Sequence, residues 1–320
     1  MEANIRHPVR VAVVGAGQVG ATCAYTLLLR GIVSEIVLIT KNHDHAEGEA
    51  MDLNHGMLFA RPARIWAGDF DDCVSADIVV LAAGAAQSPG ETRMDLLKRN
   101  AALIEDILPK AIKHNQDAIL VLVTNPVDVM THIAREISGF PPERVIGSGT
   151  VLDTARLRYL LSQRLHVEPR SVHAFVIGEH GDTQVVVWSL ANVAGIRLDD
   201  YDRRNGRAIN AKTKTDIAEL TRNAAYEVIR RKGATYYAIA AGVSRIVEAI
   251  TRDENSVLTV SSLVEGHYGL SGVSLSLPRV VNQRGVAHTL ELPLNRMEQA
   301  ALEKSALTIK AAITSLGYAG

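Results

Sequence analysis

Val11-Ala12-Val13-Val14-Gly15-Ala16-Gly17-Gln18-Val19-Gly20 decides the fold. An apolar run suited to a buried parallel strand passes directly into a G-x-G-x-x-G spacing and then into a helical pattern. The first glycine permits a tight turn, the second lets a pyrophosphate approach the backbone, and the third packs helix on strand. Isolated glycines would be read as a plain turn. Here strand, glycines and helix coincide at the first βα unit, which points to a dinucleotide cofactor, nicotinamide or flavin. Gly15, Gly17, Gln18, Val19 and Gly20 are expected to hold it.

Working outward, β-branched runs alternate with helical patterns through the first half. Strands are expected at Val9 to Val14, Glu35 to Thr40, Arg64 to Ala67, Asp77 to Ala82, Ala118 to Val123 and Arg144 to Ile146. A helix with Leu97, Ala101, Ile104, Leu108 and Ala111 on one face precedes the fifth, with a kink expected at Pro109. Past residue 147 the character changes. A buried strand is expected over Val172 to Ile177, another over Gln184 to Ser189, and one long helical stretch over Arg203 to Lys232, ended by Gly233. A helix to Arg252, strands over Val257 to Val264 and Val273 to Val281, and a last helix opening at Pro293 follow. The fold class is α/β: a Rossmann doubly wound parallel sheet in residues 1–147, then a mixed α+β catalytic domain in residues 148–320.

The 320 residues suffice for two cores, since a single core stops growing near about 250 to 300 residues. Apolar residues at 47% and charged residues at 22% are ordinary for a soluble globular protein. A formal net charge of −1, with basic clusters no longer than Arg230-Arg231-Lys232, argues against nucleic acid as a partner. No apolar run reaches the roughly 18 residues needed to span a bilayer, and the N-terminus has no room for a signal peptide before the first strand. Only Cys23 and Cys73 occur, which makes neither a disulfide framework nor a zinc spacing. The expectation is a cytoplasmic protein with no membrane partner and no metal site.

Chemistry-bearing residues cluster at the carboxyl ends of the expected strands, where ligands bind in such sheets. The second strand ends Ile39-Thr40-Lys41-Asn42, without the carboxylate that usually meets the adenosine ribose. Thr40 keeps one hydrogen bond but removes the charge that would repel a 2′-phosphate, and Lys41 adds a positive one. Two readings stay open: a tolerated substitution in an NAD enzyme, or relaxed selectivity that admits NADPH. Gly84-Ala85-Ala86-Gln87-Ser88-Pro89-Gly90-Glu91-Thr92-Arg93 reads as a surface connection or as a lid that carries Arg93 over the substrate. Gly84, Ala85 and Asn125 lie at the cofactor edge, although Asn125 could instead cap the next helix.

Asp153-Thr154-Ala155-Arg156 opens a helix with a carboxylate and a guanidinium three apart on one face. Gly178-Glu179-His180-Gly181-Asp182-Thr183 sets a histidine between glycines after a strand. Singly, these are a capped helix start and a structural histidine. Together they suit a small 2-oxo acid, with Arg156 forking onto its carboxylate and Asp153 orienting His180.

With the glycine fingerprint, Gln-x-Pro-Gly-Glu-Thr-Arg, Thr-Asn-Pro-Val-Asp, Asp-Thr-Ala-Arg and Gly-Glu-His-Gly-Asp-Thr in this order, the chain resembles the lactate/malate dehydrogenase family. The likeness runs nearly end to end. Glu47 through Gly56 and Lys232-Gly233-Ala234-Thr235 resemble its bacterial lactate branch most closely. The resemblance implies reversible reduction of pyruvate by NADH. It makes His180 the proton donor and acceptor, Asp153 its orienting carboxylate, Arg156 the carboxylate clamp and Arg93 the group that polarises the carbonyl. Asn125 and Thr235 would border the substrate. Gln87 stands where the malate branch places an arginine for a second carboxylate, so a neutral amide there favours pyruvate over oxaloacetate.

The same resemblance matches Arg158 and His173 to positions where many bacterial members bind fructose 1,6-bisphosphate at a twofold interface, and it implies a homotetramer. Alternatives to the lactate reading are a malate dehydrogenase and a nucleotide-binding protein that kept the fold and lost the chemistry.

Overall fold

The computed structural model describes residues 8–85, 92–205 and 209–319. It divides into two compact units. The first comprises the chain up to Ser148 together with Tyr236–Ser256 and Val280–His288; the second comprises Gly149–Thr235, Val257–Arg279 and Thr289–Gly320.

The first unit is built on strands β1 (Arg10–Val14), β2 (Glu35–Ile39), β3 (Arg64–Ala67), β4 (Ile78–Leu81), β5 (Ile119–Leu122) and β6 (Val145–Gly147). Between them run helices α1 (Gln18–Arg30), α2 (His43–His55), α3 (Arg93–Ile112) and α4 (Val127–Ser138). The six strands pair in parallel in the order β3, β2, β1, β4, β5, β6, which is the doubly wound arrangement. Every residue of β4 and β5 is buried, as continuous Val/Ile/Leu runs require when helices cover both faces. The order reverses between β1 and β4, so the carboxyl ends of these two strands flank the switch point where such sheets take ligands.

All six expected strands form, each within a residue of its expected limits. Helix α3 buries Leu97, Ala101, Ile104, Leu108 and Ala111, and it runs through Pro109 to Ile112. Its N-terminus is closed by a reciprocal capping box between Thr92 and Asp95.

Beyond β6 come α5 (Val151–Leu165), β7 (Val172–His173), β8 (Val176–Ile177), β9 (Val185–Val186), β10 (Asn192–Val193), β11 (Ile196–Arg197), α6 (Leu198–Asn205) and α7 (Ala211–Lys232). They are followed by α8 (Tyr237–Thr251), β12 (Ser256–Glu265), β13 (Ser271–Asn282), β14 (Gly285–Thr289) and α9 (Arg296–Ser315). Leu157, Leu161 and Leu165 of α5, one helical face, pack with Val172, Val176, Ala191, Val193 and Ile217 into the core of the second unit. Helix α8 belongs to the first unit, where it packs on α1 and its buried Glu248 pairs with Arg30.

Four expectations are corrected here. The strand over Val172 to Ile177 breaks in two: β7 pairs with β10 and β8 with β9, while the carbonyl of Ala174 between them accepts from Arg158 Nε at 3.0 Å. The helical stretch over Arg203 to Lys232 is two helices, since α6 ends at Asn205 and Asn210 caps a new start by accepting from the Thr213 amide. The last helix opens at Arg296, not Pro293, because Asn295 and Glu298 form a capping box. The strand expected over Gln184 to Ser189 shrinks to β9, and β14 was not anticipated.

Candidate active site

In the first unit the glycine turn has the geometry its spacing implies. Gly15 adopts φ +103°, and a side chain there would sit 2.3 Å from the Ala83 amide nitrogen. A Cβ on Gly20 would lie 1.9 Å from the Gly15 carbonyl oxygen, so helix and turn touch only because the side chain is absent. A Cβ on Gly17, by contrast, would meet nothing within 4 Å. Helix α1 starts there without a side-chain cap and with no acid in its first turn. Gln18, Val19 and Gly20 thus carry uncapped amides at a positive helix end beside open space, which fits a pyrophosphate.

Farther along the same edge, buried Asn100 accepts from the Ala85 amide at 2.9 Å and donates to the Asn125 carbonyl at 2.7 Å. Thr124 Oγ1 donates to the Ala83 carbonyl at 2.6 Å. The segments after β4 and β5, with Gly84, Ala85 and Asn125, are therefore stitched together. Helix α4 is capped at Pro126, and the exposed Asn125 amide has no partner among the described residues. Arg93 is exposed at the first position of α3. Thr40 follows β2 and is half-buried, and Lys41 is exposed. Gln87 lies outside the described residues.

In the second unit Asp153, Arg156 and His180 come together. Asp153 is 2% exposed in the first turn of α5. Its Oδ1 accepts from Arg156 Nη1 at 2.9 Å, and its Oδ2 lies 2.5 Å from His180 Nδ1. Burial on its own raises the Asp153 carboxyl; the His180 ring and the Arg156 guanidinium outweigh it and hold the group below its ordinary value. The turn that carries Asp153 is itself pinned. The Thr150 amide donates to the Thr259 carbonyl at 3.0 Å, Thr150 Oγ1 donates to the Val176 carbonyl at 2.6 Å, and Thr154 Oγ1 accepts from the Val176 amide at 3.0 Å.

The loop that carries His180 is pinned from two sides. Gly178, at φ +85°, exchanges both backbone hydrogen bonds with Ser276 of β13, at 2.8 and 3.0 Å. On the other side the hydroxyl of Ser305, fully buried in α9, accepts from the Glu179 amide at 2.7 Å and lies 3.1 Å from Thr183 Oγ1. A Cβ on Gly178 would fall 2.7 Å from Ser305 Oγ, so the close approach needs glycine. The Glu179 carboxylate accepts from the Thr183 amide and hydroxyl, within its own loop.

Sequence reasoning missed Asn100, Thr150, Thr154 and Ser305. A lone polar residue on the buried face of an amphipathic helix was the available signal at Asn100 and Ser305. Thr235 is half-buried between α7 and α8. Arg158 stacks over Phe175 at 5.5 Å, beside the exposed His173 of β7. Among the described residues no group of three or more His, Cys, Asp or Glu could hold a metal ion, and no helix is long and apolar enough to cross a membrane.

Known proteins carry the same plan. Residues 9–147 match the family model of the lactate/malate dehydrogenase NAD binding domain, and residues 150–317 match that of the lactate/malate dehydrogenase alpha/beta C-terminal domain. An L-lactate dehydrogenase of Acetivibrio thermocellus is 55% identical over 307 residues, covering 96% of this chain and 97% of that protein. L-lactate dehydrogenase 1 of Clostridium acetobutylicum is 48% identical over 96% of this chain and 98% of its own length. A lactate dehydrogenase from a Medee basin deep-sea metagenome library superposes with a TM-score of 0.95 at 43% identity, covering 98% of this chain and 100% of that one. The ligand-bound minor L-lactate dehydrogenase of Enterococcus mundtii superposes at 0.94 with 39% identity, over 97% of this chain and 98% of that one. On its fold, its paired Asp153 and His180, and these matches, the chain belongs to the lactate/malate dehydrogenase family.

Proposed function

We propose that the protein is an NAD-dependent L-lactate dehydrogenase, reversibly reducing pyruvate to L-lactate and so recycling the cofactor in glycolytic fermentation. The observation that carries the reading is the 2.5 Å contact between His180 Nδ1 and a buried carboxylate that Arg156 also holds. When bound, NADH supplies the hydride that reduces the carbonyl carbon.

Gly15, Gly17, Gln18, Val19 and Gly20 would hold the pyrophosphate, Thr40 and Lys41 the adenosine ribose, and Gly84, Ala85 and Asn125 the nicotinamide end. Arg156 spends one of its five N–H groups on Asp153 and turns others to the substrate carboxylate. Asp153 accepts the Nδ1 proton, which makes Nε2 the nitrogen that exchanges a proton with the substrate oxygen. Its negative charge offsets the charge of the ring when His180 is protonated, the form that delivers a proton in the direction of pyruvate reduction. Arg93 polarises the carbonyl, and Asn125 and Thr235 border the substrate. Gln87 offers no charge for a second carboxylate, which sets pyruvate above oxaloacetate.

Comparing pyruvate with oxaloacetate under NADH tests the assignment. Pyruvate is expected to give the higher kcat/KM, and Gln87→Arg is expected to move the ratio toward oxaloacetate. A higher value for oxaloacetate in the unaltered protein would make it a malate dehydrogenase. Binding of NADH without turnover of any 2-oxo acid would leave a nucleotide-binding protein on the same fold.

Arg158 and His173 form an effector site for fructose 1,6-bisphosphate, supported by the Arg158 bond to Ala174, the residue beside His173. Addition of the bisphosphate is expected to shift the pyruvate saturation curve, and a curve that stays fixed rules the site out. A homotetramer is supported by exposed apolar side chains of the first unit: Tyr25 and Leu29 on α1, Leu58 and Phe59 after α2, and Tyr237 on α8. Light scattering measures it directly. A cytoplasmic location accords with Cys23 and Cys73 being free and buried.

A further inference from the structure

We propose that the adenosine edge of the cofactor site accepts a 2′-phosphate, so that the protein binds NADPH as well as NADH. The proposal rests on the NAD-binding reading of the first unit. In sheets of this kind an acid at the end of the second strand takes the ribose 2′-hydroxyl and repels a phosphate in its place. This chain has Thr40 there, followed by Lys41.

The structure leaves both side chains uncommitted. Neither the Thr40 hydroxyl nor the Lys41 ammonium has a hydrogen-bond or ion-pair partner among the described residues, and Lys41 is exposed. They also stand at the glycine turn. The Gly15 amide donates to the carbonyl of Ile39, the residue before Thr40, at 2.7 Å. On the far side of Lys41, His45 Nε2 lies 3.0 Å from the carbonyl oxygen of Ala16, inside the turn. The end of β2 and the first turn of α2 are thus clamped to the segment that receives the cofactor, with Thr40 and Lys41 between the two clamps.

The acids nearby do not recreate the missing carboxylate. Glu47 and Glu49 face His43 and His45, each at 3.6 Å, one turn into α2. Asp44 is exposed and rotated by about 100° around the helix from His45, the residue that faces the turn. A ribose 2′-hydroxyl needs only the Thr40 oxygen as partner. A 2′-phosphate can take the Thr40 hydroxyl and the Lys41 ammonium. One surface therefore serves both dinucleotides.

Equilibrium titration of NADH and NADPH against the purified protein, read by nicotinamide fluorescence, tests this without turnover. Wild-type dissociation constants are expected to agree within about tenfold. Thr40→Asp is expected to weaken NADPH by about tenfold or more while NADH holds or tightens, and Lys41→Gln to weaken NADPH alone. A wild-type gap wider than tenfold against NADPH, or substitutions that shift both dinucleotides alike, overturns the proposal. In that case tight NADH binding still upholds the first unit as an NAD site. Failure to bind either dinucleotide overturns that reading as well.

Discussion

Two regions, one in each unit, are built on opposite principles. Around Asp153 the charged groups are paired: the carboxylate is buried and shared between His180 and Arg156, its turn is bolted by Thr150 and Thr154, and the His180 loop is bolted by Ser276 and Ser305. The Thr40 and Lys41 side chains are without partners among the described residues, and the segment is clamped on either side by the Gly15 amide and the His45 ring. Proton transfer needs a donor held to a fraction of an ångström, and the locked groups around Asp153 meet that demand. Recognition of a cofactor's outer edge needs unspent donors that a ligand can claim. Substitutions around Asp153 should therefore cost turnover, and those at Thr40 and Lys41 should change preference.

His180→Asn is expected to have the largest effect, lowering kcat by about 10³-fold while fluorescence titration finds NADH affinity unchanged. A loss of NADH affinity of the same size would erase the contrast between the two regions. Asp153→Asn comes next, at about 10²-fold in kcat, because an amide can present an N–H to the ring and select the wrong tautomer. If its kcat equalled wild type, the buried carboxylate would be a structural group only.

The same carboxylate predicts a pH dependence of stability. Its folded-state value lies below the ordinary value of 3.8, so its contribution is fully present above about pH 4 and is lost as pH falls through the lowered value. Urea midpoints of wild type and Asp153→Asn should differ at pH 7 and converge in stronger acid. A gap that persisted at pH 2 would point to lost packing instead of lost charge. Smallest is Ser305→Ala. It removes an acceptor behind the His180 loop and should lower kcat by about tenfold at nearly constant KM, with Ser305→Thr restoring part of it. An equal fall in thermal stability with kcat intact would assign Ser305 to folding alone.

How far the sequence could be read follows the range of the interactions. Buried parallel strands declare themselves in a few residues, and β1 to β6 emerge within a residue of their expected limits. Asp153 and Arg156 were legible because helical spacing alone sets them on one face. The start of α9 was misread at Pro293, because the capping signature of Asn295 and Glu298 outweighs the preference of proline for a first turn. Val172 to Ile177 was not, because its alternation fits one strand as well as two, and only the partners β9 and β10 divide it. Nor does an amphipathic pattern in α8 tell which core its buried face will join; its pairing with Arg30 spans 218 residues. For the same reason the partner of Ser305 was out of reach, although its place on a buried helix face could be read. A single serine on a helix says nothing about an amide 126 residues upstream.

That separation also fixes an order of events during synthesis. The glycine turn and the six parallel strands leave the ribosome early, and their contacts are satisfied within the first 148 residues and the later α8 and β14 segments. The hydroxyl that braces the His180 loop is added only at position 305, 126 residues after the Glu179 amide that it accepts from. A growing chain can thus assemble the six parallel strands of its first unit before Ser305 exists to brace the His180 loop.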